Sequence, residues 1–266
     1  PARADEVAPE LEPHDLRTHA EAELRRLFAS LPVHDQRRLV GAYVAFDPSP
    51  SDPIAQVACD DDGDFVVVLS DAMLRLAANV ARAATYDEVN GGRKVEEYAT
   101  FVARSQAPDR RLLPPPPGFF VAERGARTYG ERLGEALGFL VARELVHLRA
   151  GDLVCPRPTA TRESGDDVWT HTEQRRAAET ASAVYPGRPI ERDTEATVRL
   201  LDVGRSEVGA LALLRFFAQL EVDTRAALGR FAPSYAARHP GPALRVALVR
   251  QVADAHRAER SEREHR

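Results

Sequence analysis

The stretch Ala142-Arg143-Glu144-Leu145-Val146-His147 decides how this chain is read. It lies inside the clearest periodic run of the sequence, residues 129–149, where Leu133, Leu137 and Leu140 recur at spacings of four and three. Side chains at those spacings share one helical face, so the three leucines form an apolar stripe. The next two positions on that stripe are Glu144 and His147. Two ionisable groups therefore point where a core should be, and Gly151 then stops the helix.

Outward from this helix, the chain reads as a mainly helical α+β protein. Leu16, Ala20, Leu24 and Leu27 fall at helical spacing among charges, which predicts an amphipathic helix over residues 16–28. Residues 39–46 and 64–69, the latter with Phe65, Val66, Val67 and Val68, are rich in β-branched and aromatic side chains and predict two strands. Pro48, Pro50 and Pro53 make the stretch between them a loop, and residues 59–63 read as a turn. From Asp71 the pattern turns helical through Met73, Leu74, Leu76, Ala77 and Val80 to about Tyr86, with Ser70-Asp71 as the cap. Gly91-Gly92 breaks it, a second helix covers residues 95–103, and four prolines at 114–117 form a stiff extended segment. Residues 87–118 look inserted. Beyond the long helix the pattern predicts helices over residues 173–184, 190–203, 208–220 and 243–255, with Gly204 closing the second. One domain is expected over residues 16–256, after a flexible tether at 1–15 and before a charged, frayed tail at 257–266.

Composition excludes several functions. The chain has 36 basic against 41 acidic side chains, a formal charge of -5, so nothing invites a nucleic acid. No run approaches the length of a membrane-spanning helix. The opening stretch to Pro13, rich in Ala, Pro and Glu, has the character of a tether left by a trimmed signal or anchor, which predicts an exported protein, periplasmic or lipid-anchored; a cloning boundary would read the same way. Cys59 and Cys155 are either one disulfide or two separate thiols. The run Asp60-Asp61-Asp62-Gly63-Asp64 lacks the spacing and terminal glutamate of a calcium loop and reads as a solvated turn. There is no G-x-S-x-G elbow, no Gly-rich phosphate loop and no cysteine pair at zinc-ligand spacing.

A carboxylate followed three residues later by an imidazole on a buried helix face is the second half of the zinc-peptidase motif H-E-x-x-H. In that motif two histidines one turn apart hold the metal, and the glutamate acts as general base on the bound water. Here the first histidine is Arg143. Further on come Glu191-Arg192-Asp193-Thr194-Glu195-Ala196, then Leu201-Asp202-Val203-Gly204, and finally His239-Pro240-Gly241-Pro242-Ala243-Leu244-Arg245, an intact H-P-x-x-x-x-R. In order and spacing, residues 39–253 resemble the soluble HtpX-like and Oma-like zinc metalloendopeptidases. The resemblance implies a zincin-like fold with a small sheet and a long active-site helix, a second helix bearing E-x-x-A-D whose glutamate is the third zinc ligand, and a late His-Pro motif.

The departures from that pattern set the functional expectation. Counting back from Gly204 without a gap puts Asp193 on the family's aspartate and Pro189 on its zinc-binding glutamate, with Ala196 and the closing turn in place. Shifting by one helical turn would instead put Asp193 on the glutamate and Thr197 on the aspartate. On the ungapped count only His147 remains of three ligands, with His239 as an extra nitrogen. A guanidinium cannot lose its proton in a protein and offers no lone pair to a metal. Arg143 is therefore expected to occupy the vacated place and to pair with a carboxylate, Asp193 first, while Arg245 ties its loop to the domain. The expectation is a pseudopeptidase with a vestigial site at Arg143, Glu144, His147, Pro189, Asp193, His239 and Arg245, no cofactor, and a peptide or protein in its groove. The alternative is a working zinc endopeptidase that uses His147, Asp193 and His239 as ligands and Glu144 as general base. A third reading has residues 87–118 covering the groove. His171, in a polar loop, reads as solvated.

Overall fold

In the computed structural model, residues 11–49, 53–60, 62–105, 115–120, 125–153, 155, 188–228 and 241–264 are described. The order is α1 (Pro13–Ser30), α2 (Val33–Arg38), β1 (Tyr43–Asp47), β2 (Ala55–Cys59), β3 (Phe65–Ser70), α3 (Asp71–Asn90), α4 (Lys94–Ser105), α5 (Ala126–Ala150), α6 (Arg188–Asp202), α7 (Val208–Leu228) and α8 (Pro242–Glu264). The chain is thus mainly helical with one small sheet. No helix among the described residues is long and apolar enough to cross a membrane.

The sheet has three strands rather than two, in the order β1-β3-β2. β3 lies in the centre, parallel to β1 with Tyr43 opposite Val66, and antiparallel to β2 with Ala55 opposite Leu69. β3 is the apolar run that the sequence shows plainly. β2, Ala-Gln-Val-Ala-Cys, carries a single β-branched residue, and its strand state comes from the ladder it completes on β3. The first predicted strand is corrected too: α2 and a turn take up residues 33–42, with Gly41 at φ 92°, and β1 starts only at Tyr43. Ser70 joins sheet to helix. Its hydroxyl accepts the Met73 N–H at 3.1 Å as the N-cap of α3 and also the Ile54 N–H at 2.8 Å.

α5 is the axis of the molecule, packed against α1, α3, α6 and α7 and touching β2 and β3. Every residue from Arg132 to Val146 is buried, so the helix is covered all round and not along one stripe alone. Close approach is what permits this. A Cβ at Gly209, near the start of α7, would lie 2.6 Å from the Ala136 nitrogen and the Arg132 oxygen of α5. Glu135, buried on α5, accepts the Gly209 N–H at 3.0 Å and the Ser206 hydroxyl at 2.6 Å, and so caps α7.

Two boundaries differ from expectation. Helix α1 already begins at Pro13, with the proline in its first turn, ahead of the expected start at residue 16. At the other end α8 runs to Glu264, and the charged tail is helical through that residue. Pairs one turn apart, Arg260 with Glu264 at 3.1 Å and Arg263 with Glu259 at 3.4 Å, support it, and Arg257 reaches Glu207 at 2.6 Å. Of residues 87–118, helix α4 is part of the core: it packs on α7, and Tyr98 meets Phe216 with ring centroids 5.3 Å apart. The predicted helix over 173–184 lies outside the described residues.

Candidate functional site

The site grows from the C-terminal half of α5. The helix enters this region with Leu137, Leu140, Val141 and Ala142 buried against its neighbours, which fixes its rotation and leaves Arg143 and Glu144 no route to water. Facing them, α6 presents Asp193, placed one turn before the buried Ala196 and Thr197, whose hydroxyl donates to the Asp193 carbonyl at 2.7 Å. From the start of α8 comes Arg245. Three helices that are distant in sequence thus each deliver charge to one dry point.

Arg143 is 2% exposed, Glu144 2%, Asp193 1% and Arg245 1%. The Arg143 Nε donates to Asp193 Oδ1 at 3.1 Å, and its Nη1 donates to Glu144 Oε1 at 3.0 Å. Arg245 approaches the same carboxylate side-on: its Nη2 donates to Oδ1 at 3.0 Å and its Nε donates to Oδ2. Asp193 is therefore the hub, with both oxygens engaged by guanidinium groups. Two cations and two anions cancel, the condition under which charges survive burial. Arg245, at the end of the H-P-x-x-x-x-R pattern, does more than tie down a loop. It is a wholly buried counter-ion for α6.

His147 belongs to a second, adjacent cluster. Its Nδ1 lies 2.8 Å from Asp152 Oδ2. Asp152 in turn accepts from Arg192 Nε at 2.8 Å and Nη2 at 2.9 Å. Since a carboxylate gripped by a guanidinium is ionised and accepts only, the imidazole must carry its hydrogen on Nδ1. Burial pushes the His147 pKa below its ordinary 6.5 and the Arg143 charge adds to this, while Glu144 and Asp152 pull it back. Asp152 can reach the histidine because Gly151 closes α5 in the left-handed conformation at φ 73°. The Asp152 N–H then returns to the His147 carbonyl at 3.1 Å, and the Gly151 N–H to that of Leu148 at 3.1 Å.

Neither Asp152 nor Arg192 figured among the residues expected from sequence. The signal was present, since an aspartate directly after a helix-ending glycine folds back over the last turn. Its partner on α6 has no sequence mark. Of the residues singled out in the sequence, His239 and His171 lie outside the described residues, and Pro189 falls in the first turn of α6. Asp71 and the acidic turn have structural partners. Asp71 takes the Arg17 guanidinium at 3.0 and 2.7 Å, and Asp60 accepts the Asp62 and Asp64 N–H groups at 3.0 and 2.8 Å.

The zinc ion that the resemblance implies does not fit these residues. Asp193, the one carboxylate offered as a ligand, is turned to two guanidiniums, and a dication beside Arg143 would meet a fixed like charge. Among the described residues no group of three or more His, Cys, Asp or Glu side chains is placed to hold a metal. Cys59 and Cys155, which the sequence left open, form a disulfide with Cα atoms 5.5 Å apart, tying the end of β2 to the segment after α5. No protein-family model, curated protein or solved structure matches this chain.

Proposed function

We propose that this protein is a catalytically silent relative of the HtpX-like metallopeptidases, a zincin-like scaffold whose metal place is filled by protein charge and which acts by binding. The observation that carries the reading is the buried hub of Arg143 and Arg245 on Asp193. A site evolved to hold a dication collects anionic and neutral donors, whereas this one has collected cations. The general base of the motif, Glu144, is bound to Arg143 at 3.0 Å and is shut off from solvent, so it has no water to activate.

Binding without catalysis leaves an extended peptide or protein segment as the ligand class. Among the described residues, β1 has β3 as its only strand neighbour, and adding a strand to such an edge is a common mode of peptide capture. The disulfide supports an exported protein, because such bonds persist in oxidising compartments.

Metal content by mass spectrometry, on protein purified without chelator, tests the proposal beside the double variant Arg143→His with Pro189→Glu. The wild type should carry no stoichiometric zinc and the double variant should take it up. About one zinc per wild-type chain would overturn the reading. It would revive the active-peptidase alternative, for which hydrolysis should vanish in Glu144→Gln.

A further inference from the structure

Three large apolar side chains are left exposed within one short stretch of chain: Val33 at 62%, Val40 at 70% and Tyr43 at 42%. Helix α2 and the turn after it turn Asp35 and Leu39 inward, at 4% and 0% exposure. Val33, Arg37 and Val40, at spacings of four and three, therefore fall on the outward side. Carboxylates from the connection between β2 and β3 flank this side. A Cβ built on Gly41 would lie 2.8 Å from Asp64 Oδ1, and the Tyr43 hydroxyl donates to Asp60 Oδ2 at 3.1 Å. Asp62, in the same connection, is exposed. Other surface arginines meet their own carboxylates, as Arg25 meets Glu21 at 2.8 Å and Arg260 meets Glu264 at 3.1 Å. Here charges of both signs are left over. Among the described residues Arg37 meets no carboxylate, Arg38 bonds the Arg149 carbonyl at 2.9 Å, and Asp62 and Asp64 meet no cation.

We propose that this surface docks a second copy of the same chain across a two-fold axis. The charge pattern selects that occupant. A partner of one sign, such as an anionic bilayer or a basic peptide, would pair one set of charges and face the other set as a like charge. A second copy turned by a two-fold rotation answers both sets at once. Its Asp62 and Asp64 come to Arg37 and Arg38 of the first, and the same contacts repeat in reverse, because a two-fold interface uses one self-complementary patch. Val33, Val40 and Tyr43 of the two copies then meet at the centre and leave water, while the charges form the rim. Three apolar side chains make a small centre, so the dimer should dissociate in the micromolar range. The inference rests on α2, the start of β1 and the connection between β2 and β3, and makes no use of the buried charge cluster.

Sedimentation velocity on the full chain, over a dilution series at low salt, tests this. The wild type should pass from dimer to monomer on dilution, and added salt should favour the monomer. Arg37→Glu and Asp62→Arg each set like charges opposite one another twice, and each alone should weaken association by about tenfold or more. Val40→Asp should do the same through the apolar centre. Both charged side chains are exposed and hold nothing in the folded chain, so an unchanged urea midpoint should show that the variants fold. Mixing Arg37→Glu with Asp62→Arg should restore the dimer, because both rim contacts of the mixed pair are then between opposite charges. A wild type that stays monomeric would overturn the proposal. Capture of such monomers by phosphatidylglycerol vesicles, lost in Val40→Asp, would give the patch to a membrane instead. A dimer that all three variants leave intact would place the contact elsewhere and equally overturn it, as would variants that stay monomeric when mixed. None of these results bears on zinc content, so this inference and the functional reading fail separately.

Discussion

Asp193 receives hydrogen bonds from two arginines in a place that water does not reach, and its removal should be far more damaging than its net contribution suggests. A buried pair is roughly neutral against well-packed apolar residues, but taking one partner away strands the others. Asp193→Asn, which leaves Arg143 and Arg245 facing a neutral amide, is expected to cost about 3–5 kcal/mol in urea denaturation. A loss under about 1 kcal/mol would show that the charges are reached by water. His147 supplies a second residue-scale expectation. Its folded pKa is lowered below 6.5, so as pH falls through that value the unfolded chain takes up a proton that the folded chain resists. Its contribution is therefore level above the unfolded pKa, turns unfavourable as pH falls below it, and levels again beneath the folded pKa. Denaturation midpoints should drop between about pH 7.5 and about pH 5.5 in the wild type and drop less in His147→Gln. Equal slopes in the two proteins would remove His147 from the account.

Glycines on facing helices decide how closely α5 is wrapped. Gly209→Ala would drive a methyl to 2.6 Å from α5 backbone atoms, and backbone cannot step aside as a side chain can. The expected cost is about 1–3 kcal/mol or more, measured as a fall in the urea midpoint. Gly130, on the exposed start of the same α5, has nothing within 4 Å of a built Cβ. Gly130→Ala should therefore stabilise by about 0.5–1 kcal/mol through helix propensity alone. Opposite signs for the two substitutions are the prediction; two losses would mean that α5 tolerates no change even at its free end. At the sheet-to-helix junction Ser70→Ala removes both the α3 cap and the acceptor for Ile54, with an expected loss of about 1–2 kcal/mol.

Over the whole molecule, the disulfide spans a sequence separation of 96 residues that includes β3, α3, α4 and α5. A loop of that length restrains the unfolded chain by about 4–5 kcal/mol in the chain-entropy description. Reduction should lower the denaturation midpoint by a large step without abolishing the fold. The core does not depend on the bond, since α5 is covered by α1, α3, α6 and α7. An unchanged midpoint after confirmed reduction would contradict this.

How much could be read in advance depends on which forces act locally. The sequence by itself determined the helices with strong periodicity, the apolar β3, the stop at Gly151 and the stripe that carries Glu144 and His147, because period, propensity and glycine conformation act within a few residues. It also marked Arg143 and Asp193 as partners, since a buried cation requires a nearby anion and α6 supplies one. Only the tertiary structure decided that β2 is a strand, that the cysteines are bonded, that Arg245 shares Asp193, and that Asp152 and Arg192 hold His147. Each of these depends on a partner distant along the chain. Their energies come from ladder pairing, desolvated charge and geometric reach, which exist only once the helices have packed.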